Sequence, residues 1–558
     1  MENKIKIIRT SHLLVIVFVL MALSGFGQDP SQDWEGELEE VEVVIENERE
    51  NTVPFANRNF EKIPPRPAET IVPPIRYDFQ SFSFLAPQIN PQIRPLKIKA
   101  ESPSKIYGGY VRAGFGNFGS PLLEGYITSR KDRDKLVGAH LYHFSSAKGP
   151  VDGKNSGSGN TTVSVFGKTF SEHFALSGSI DAENRSTHFY GYPEGTEVDP
   201  SDIRQTYNTF KIGGDLSNAK NSAFRYTLGA NFSYLADKYD ARETGIDLIF
   251  NSGYKTGDES RFNIDAAYLL LNRKDAEIDG KARSLFTVYP SYSFVPVENL
   301  RINLGVGIAF ENDTIDKDLH FYPNVSASYP LSPSVDIMAS LTGAMERVSL
   351  QSLSHENIWI GPNAELHHAN KSFDLAVAIN ARLGNKVGAN AGLSLAAIKN
   401  MHFFENSAED PSKFKVDYEY DYFRRTNLYA SLSYAQSEKV KLMLRGDVFA
   451  YGRDNDDKEV WHLPAYKMNA NASFMLVKKI LLNFDLIGQG GMKAFDPVTT
   501  ETVKLDGAFD VNAKVEYLFS DSFSIFVQFN NITGNEYPIF YRYPVRGFQF
   551  LGGISWSF

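Results

Sequence analysis

The stretch that decides the fold runs from residue 302 to residue 310 and reads Ile302-Asn303-Leu304-Gly305-Val306-Gly307-Ile308-Ala309-Phe310. Large apolar side chains occupy every second position and small or polar ones lie between them, which is the period of a β-strand with one apolar face. The same alternation returns in 373–383 and in 466–474. Because a soluble sandwich also buries one face of each strand, alternation alone does not distinguish it from a membrane barrel.

Strand length and the spacing of turns distinguish the two. The alternating segments run for roughly 10–16 residues, whereas strands of soluble proteins have about five or six and strands that cross a bilayer need about 9–11. Tight turns are predicted at 131–134, 171–173, 217–221, 257–260, 296–299, 331–334, 384–386, 436–439, 477–479 and 520–522. Between them lie mostly longer loops, such as 146–160, 191–204, 348–371, 405–415 and 453–463. This layout predicts an all-β, transmembrane antiparallel β-barrel of about 22 strands, with both chain ends in the periplasm.

Bulk composition agrees with a barrel and limits the chemistry. Hydrophobic residues make up 42% of the chain and the mean hydropathy is −0.29, as expected when only every second strand residue meets lipid. Cysteine is absent, which excludes disulfides and thiolate metal sites. The net charge is −10, and the segment 28–51 contributes most of it with ten acidic residues and one arginine. A basic groove for nucleic acid is therefore not indicated.

The N-terminus has the pattern of a secretory signal peptide. Basic residues precede an apolar run over 13–23, and Gly25 and Gly27 stand at the −3 and −1 positions of a cleavage site. The alternative is a retained anchor, but the run is shorter than the roughly 20 residues of a spanning helix. We predict a signal peptide over 1–27, and hence export and a location in the cell outer membrane.

The last strand carries the most specific local signal. It alternates to the final residue, and its outward face is predicted to consist of Phe548, Phe550, Gly552, Ile554, Trp556 and Phe558. An aromatic-terminated, alternating final strand resembles the β-signal that the barrel-insertion machinery reads. The alternative is an ordinary C-terminal edge strand, which in a soluble protein would carry a risk of aggregation. We predict that these six residues form the insertion signal, with the insertion machinery and outer-membrane lipid as partners.

A family resemblance builds on this strand. The turn 530–537, which reads Asn-Asn-Ile-Thr-Gly-Asn-Glu-Tyr, the step 543–548 and the terminal strand resemble the end of TonB-dependent receptors. The segments 362–366 and 399–404, with the strand that begins at Phe373, resemble receptors of the Bacteroidota type. The resemblance covers roughly 105–558 and implies a receptor barrel.

The N-terminal segment departs from that family. Its members carry a plug of well over a hundred residues before the barrel, and 28–104 leaves no room for one. An acidic and valine-rich stretch resembles the family's TonB box, through Leu38, Glu39, Glu40, Val41, Val43 and Val44. This stretch could add as a strand to TonB or another periplasmic protein, although Glu42 interrupts the valines and an acidic disordered tail is the alternative.

The remainder of 28–104 is rich in proline, which favours extended chain. We therefore predict a periplasmic arm or lumen-filling segment over 28–104 and the barrel over 105–558. A lumen of 22 strands is wide enough to need a filling. We expect it to be occluded by the protein's own loops together with the arm or a partner.

Residues that could carry chemistry are scattered. His140 and His143 should point to opposite faces of one strand, and His367 and His368 should diverge in a loop, so we predict structural roles for them. The acidic loop 454–457 lacks the ligand spacing of a calcium loop. No catalytic, cofactor-binding or metal residues are predicted, and the chain is not expected to be an enzyme.

Two interpretations of function stay open. The first is a subunit of an outer-membrane complex, or an uptake channel; the second is a TonB-energised nutrient transporter whose arm, loops or partner replaces the plug. A barrel enzyme is a remote third. The alternation also assigns the faces of the strand at 302–310. Leu304 and Val306 should face lipid, and the inward Asn303 and Gly305 should tolerate polar substitutions.

Overall fold

The computed structural model describes residues 107–129, 134–220, 222–313, 318–437, 439–454 and 459–558. In these residues, 22 strands form one sheet. Their bounds are β1 Gly109–Gly116, β2 Ser120–Thr128, β3 Lys135–Ser146, β4 Ser158–Phe170, β5 Phe174–His188, β6 Arg204–Asn218, β7 Phe224–Asp237, β8 Arg242–Lys255, β9 Arg261–Lys274, β10 Lys281–Val297, β11 Leu300–Glu311, β12 Leu319–Ser332, β13 Val335–Glu346, β14 Ala369–Leu383, β15 Val387–Lys399, β18 Phe423–Gln436, β19 Val440–Gly452, β20 Tyr466–Leu476, β21 Ile480–Gly490, β24 Ala508–Leu518, β25 Phe523–Asn530 and β28 Gln549–Ser557.

The numbers left out of that series belong to three small hairpins in the loops. Their strands are β16 Met401–Asn406, β17 Phe414–Glu419, β22 Lys493–Asp496, β23 Glu501–Lys504, β26 Pro538–Phe540 and β27 Tyr543–Pro544. One loop also contains a short helix, α1, over Leu350–Glu356, and another contains a 3-10 turn over Gly153–Ser156.

The large sheet closes on itself. The first strand, β1, pairs antiparallel with the last, β28, from Tyr110 opposite Ser557 to Gly116 opposite Leu551. At this seam the amides of Gly108 and Gly109 both donate to the carbonyl of Phe558 at 3.0 Å. Gly109 lies against the Phe558 ring, so a side chain at that position would collide with the ring. The predicted closed antiparallel barrel of 22 strands is confirmed.

Turns and loops lie at opposite ends of the barrel. Every turn predicted from the sequence lies between the strand pair expected for it, from β2–β3 to β24–β25, although 130–133 fall outside the described residues. In the short turn at 477–479, Val477 and Lys478 adopt positive φ angles of 45° and 59°, as tight hairpins require. The long connections, including 189–203, 347–368, 400–422 and 531–548, follow the other strand ends. We call the end of the barrel that carries them the external end.

The outer surface of the barrel is apolar. Leu304, Val306 and Phe310 of β11 are 47%, 41% and 48% exposed, whereas Ala309 is completely buried. On β28, Phe550, Ile554 and Trp556 are about half exposed in the same way. Exposed large side chains on alternate positions around a closed sheet form the surface that a bilayer covers. Among the described residues, no helix has the length and apolarity needed to cross a membrane.

The surroundings of Gly305 contradict the expectation that this position tolerates polar substitution. Its position faces inward as predicted, but a Cβ there would lie 2.7 Å from the carbonyl oxygen of Pro290 and 2.7 Å from the Cβ of Ser291. Backbone atoms of a neighbouring strand cannot move aside cheaply, so the predicted tolerance of Gly305 to polar substitution is wrong. Asn303 keeps the predicted inward position, where its Oδ1 accepts a hydrogen bond from the Ser293 hydroxyl at 2.8 Å.

Candidate ligand site in the external loops

Four loops meet at the external end and form what we call the external loop assembly: 189–203, 347–368, 400–422 and 531–548. Arg185, on β5, donates from Nη1 and Nη2 to the carbonyl and hydroxyl oxygens of Ser354 in α1, at 3.0 and 2.9 Å. The loop with α1 joins β13 to β14, which stand almost opposite β5 in the closed ring. The loop with α1 therefore reaches across the external end of the barrel, and occlusion of the lumen stays a prediction.

Aromatic side chains form the core of the assembly. Tyr543 is completely buried, and its ring centroid lies 4.1 Å from that of Trp359 and 4.7 Å from that of Tyr190. Its hydroxyl donates to the carbonyl of Ser412, so it connects a third loop. Gly191 lies so close to the Tyr543 ring that a Cβ there would collide with it. Aromatic rings from separate loops, packed in tilted and edge-to-face arrangements, thus hold the assembly together.

Buried charges fasten α1 to the barrel wall. The carboxylate of Glu243, on β8, is 4% exposed and accepts the amides of Leu350 and Gln351 at 2.8 and 3.1 Å. Two buried ion pairs also lie beside this end of α1, between Arg273 and Asp275 and between Arg283 and Asp313. A carboxylate at a helix N-terminus pairs with free amides and with the helix dipole. The amides of α1 therefore make with Glu243 the hydrogen bonds that they would otherwise make with water.

Two buried histidines accept backbone amides within the loops. His368 Nδ1 accepts the amide of Val348 at 3.0 Å, and burial together with the Arg283 charge lowers its pKa to about 4. His462 Nε2 accepts the amide of Tyr541 at 3.2 Å, and burial lowers its pKa to about 4. Both rings are therefore neutral at pH 7, and each would have to give up an amide to take a proton.

Acid should loosen the external loop assembly. Because both folded-state pKa values lie below the usual 6.5 of histidine, the folded form binds fewer protons than the unfolded form between pH 6.5 and 4. The stabilisation is complete above pH 6.5 and is lost as the pH falls toward 4. We expect amide exchange in 347–368 and 531–548, corrected for intrinsic rates, to be at least about tenfold faster at pH 4 than at pH 7.

The variant His462→Gln, which cannot take up a proton, should show a smaller acid effect around Tyr541. The strands β11 and β12 serve as the internal control, because the hydrogen bonds of the two histidine rings end on residues outside these strands. Equal protection of the loops at both pH values would contradict the prediction.

A cavity of about 440 Å³ lies beneath the assembly on the luminal face of the barrel. Its floor is lined by residues near the external ends of β3, β4, β5, β24 and β28 and by the connection between β3 and β4, and its roof by three of the four loops. Tyr190 and Trp359, whose ring centroids are 5.6 Å apart, form one wall. Arg185, Asp510 and Arg546 contribute charged groups to the lining. This volume falls within the range of small-molecule sites, about 300–1,000 Å³.

The residues predicted from the sequence lie elsewhere. The TonB-box-like stretch 38–44, the signal peptide 1–27 and the arm 28–104 fall outside the described residues. The side chains predicted to form the insertion signal lie on the outward face of β28 and the residues beside it, where Phe548 and Phe558 are 44% and 39% exposed. Their role in insertion stays a prediction.

For His140 and His143 the predicted divergence is confirmed. His140 faces inward and stacks on Tyr126 at 4.0 Å between ring centroids, whereas His143 faces outward and hydrogen bonds Thr161. Asp454 of the acidic loop forms an ion pair with Arg424. Among the described residues, no cluster of three or more histidine, aspartate or glutamate side chains is placed to hold a metal ion.

Sequence reasoning missed the cavity residues. Arg185, Asp510 and Arg546 stand far apart in the chain, and only the closed ring brings them together. One feature of the sequence could have indicated them. Arg185 and Asp510 are charged residues at strand positions that face the lumen, near the external ends of β5 and β24. Luminal charges at that height are candidates for ligand contact in any large barrel.

Comparison with known proteins identifies the fold. No family model matches the sequence, and no curated protein gives a significant match. The ferric enterobactin receptor of Pseudomonas aeruginosa superposes with a TM-score of 0.63 at 9% identity, over 81% of this chain and 80% of that one. The siderophore receptor PirA of Acinetobacter baumannii gives 0.63 at 10% identity, over 81% and 80%. The FrpB iron transporter of Neisseria meningitidis gives 0.62 at 11% identity, over 82% of each chain.

The names of the three matched proteins describe two receptors and one transporter. The closed antiparallel barrel and its apolar outer surface agree with the predicted location in the outer membrane. The described barrel has the 22-stranded fold of TonB-dependent siderophore receptors.

Proposed function

We propose that this chain is an uptake channel of the outer membrane, which binds its ligand at the external loop assembly and passes it through the lumen. The observation that carries the proposal is the cavity beneath those loops, which combines aromatic walls with charged luminal side chains. A barrel that only anchored partners would not need a site of this size open to the lumen. The receptors and transporter that share the fold support the same assignment.

The proposal includes a periplasmic partner. The stretch Leu38–Ile45 is acidic and rich in valine, and an extended segment of this kind can pair with the edge of a partner sheet. We propose that TonB binds it and supplies the energy for opening the loop assembly. That assembly is fastened by buried ion pairs and aromatic packing, so thermal motion alone would open it only rarely.

Deletion of residues 38–45 tests the partner. We expect the deletion to reduce capture of the purified periplasmic domain of TonB by at least about tenfold, because strand addition needs that backbone. A deletion of equal length in the proline-rich arm, 55–62, should leave capture unchanged. Equal capture by the two deletion proteins and the parent would contradict the TonB assignment.

A second candidate function is a stable subunit of an outer-membrane complex. The buried ion pairs and aromatic packing that hold the loops favour this function. A fixed external surface is suited to permanent partners, whereas uptake requires the loops to open repeatedly. Purification in mild detergent with identification of co-purified proteins separates the two candidates. A monomeric barrel that conducts ions on its own would contradict the subunit role.

A further inference from the structure

We propose that the cavity under the loops binds a small zwitterion, with Asp510 receiving a primary ammonium group and Arg546 a carboxylate. The inference rests on the proposed function, because it names the class of ligand that the uptake channel takes. It is carried by two charged side chains that line one cavity and that form no ion pair, with each other or with any other residue that the structure describes.

Asp510 forms the anionic pole. It lies at an inward position of β24 and is 9% exposed. Its Oδ2 accepts the Tyr537 hydroxyl at 3.0 Å, whereas its Oδ1 is buried and has no hydrogen-bond partner among the described residues. A buried carboxylate oxygen without a donor is costly. An ammonium group in the cavity would supply both the donor and the opposite charge.

Arg546 forms the cationic pole. Its Nη2 donates to the Ser158 hydroxyl at 2.6 Å and its Nε to the Lys148 carbonyl at 3.3 Å, and both acceptors are neutral. Among the residues that the structure describes, no carboxylate forms an ion pair with it. Burial lowers the pKa of its guanidinium from the usual value, which reflects the cost of a charge at this place. A carboxylate from the ligand would remove that cost by a charge-assisted pair.

The other arginine of the cavity is already engaged. Arg185 uses Nη1 and Nη2 to bind Ser354, and its Nε faces the Glu183 carboxylate at 3.7 Å. Arg185 therefore holds the roof of the cavity in place, and Arg546 is left for the ligand. This division leaves the cavity with one available charge of each sign.

The rest of the lining suits a short peptide-like molecule. Tyr190, Trp359 and Ile539 provide apolar surface. The Oδ1 of Asn160 is a second buried acceptor without a hydrogen-bond partner in the described part of the chain, and a peptide N–H between the two charged ends could donate to it. A volume of about 440 Å³ leaves room for more than a single amino acid.

Trialanine and its end-blocked forms test the inference. Calorimetry with the full-length barrel in detergent would compare trialanine with free ends, N-acetyl-trialanine and trialanine amide. We expect trialanine to bind and each blocked form to bind at least about tenfold more weakly, because each loses one charge contact. Equal affinity for all three, or no binding of trialanine at millimolar concentration, would overturn the inference.

Two variants assign the poles. Asp510→Asn should weaken binding of trialanine and abolish the preference for the free amine, while the preference for the free carboxylate remains. Arg546→Gln should weaken binding of trialanine and abolish the preference for the free carboxylate, while the preference for the free amine remains. Asp485→Asn is the matched control, since Asp485 is an inward carboxylate of β21 outside the cavity lining. Circular dichroism and thermal unfolding would verify that the variants fold. A loss that is the same for free and blocked peptides would count against the assigned poles.

Failure of the zwitterion inference can be distinguished from failure of the proposed function. Capture of TonB by residues 38–45 does not involve the cavity, so capture without trialanine binding would refute the zwitterion alone. Selective trialanine binding without capture of TonB would leave the ligand class standing and refute the energised uptake.

Discussion

Replacing Tyr543 by alanine should detach the external loop assembly from its core while the barrel stays folded. The side chain is completely buried, contacts aromatic rings of three other loops and donates its hydroxyl to the Ser412 carbonyl. Removing a large buried aromatic side chain costs about 3–5 kcal/mol. We expect the protection of amides in 347–368 and 400–422 against hydrogen exchange to fall by the factor that this free energy corresponds to. Hydrogen-exchange mass spectrometry measures this loss.

Tyr543→Phe is the matched control. It keeps the ring and removes one hydrogen bond, so its cost should be about 1 kcal/mol. If the alanine variant showed the same loop protection as the phenylalanine variant, the aromatic packing would not be what holds the loops.

An arginine on the lipid face should impair the barrel itself. Leu304 and Val306 are exposed on the outer surface of β11, where a charge near the bilayer midplane costs about 2–4 kcal/mol. We expect Leu304→Arg and Val306→Arg to unfold at lower urea concentration after refolding into lipid vesicles. The cost arises because the guanidinium must leave water or pull water into the bilayer.

Asn303→Asp separates this effect from charge as such. It adds a charge at the neighbouring position, which faces the lumen and can still accept the Ser293 hydroxyl. Its urea midpoint should stay close to that of the parent. Arginine variants as stable as Asn303→Asp would refute the assignment of the two faces.

The barrel could be predicted from the sequence because its rules are local. Residue parity determines the face on which Leu304 or Ile554 lies, and each tight turn joins neighbouring strands. The turn 530–537 is a further case. Asn531 there adopts φ 47°, and its side chain donates to the carbonyls of Asn535 and Arg546 at 2.8 Å each. The motif that resembles the receptor family thus holds the loop that contributes Arg546.

The loops could not be predicted in the same way because their contacts are distant in the chain. Arg185 and Ser354 are 169 positions apart, and no periodicity links an arginine on a strand to a helix in a loop. The helix α1 is too short to give a periodic signal, and its N-terminus depends on Glu243 from another strand. Gly305 shows the same limit, because parity gives its direction but not its distance from the Pro290 carbonyl.

The pairing of β1 with β28 also governs how the barrel can be assembled. Every other strand pair in the wall is joined by a turn or loop, whereas residues at this seam, such as Asn117 and Phe548, are bonded across 431 positions. Contacts so remote in sequence form late during folding. The loop-closure entropy must be lost before the contacts contribute any favourable energy. Until the final strand arrives, the sheet has two open edges that could recruit strands of other chains. Closing the seam removes both edges in one step, so it is the seam that separates an aggregation-prone intermediate from the finished protein.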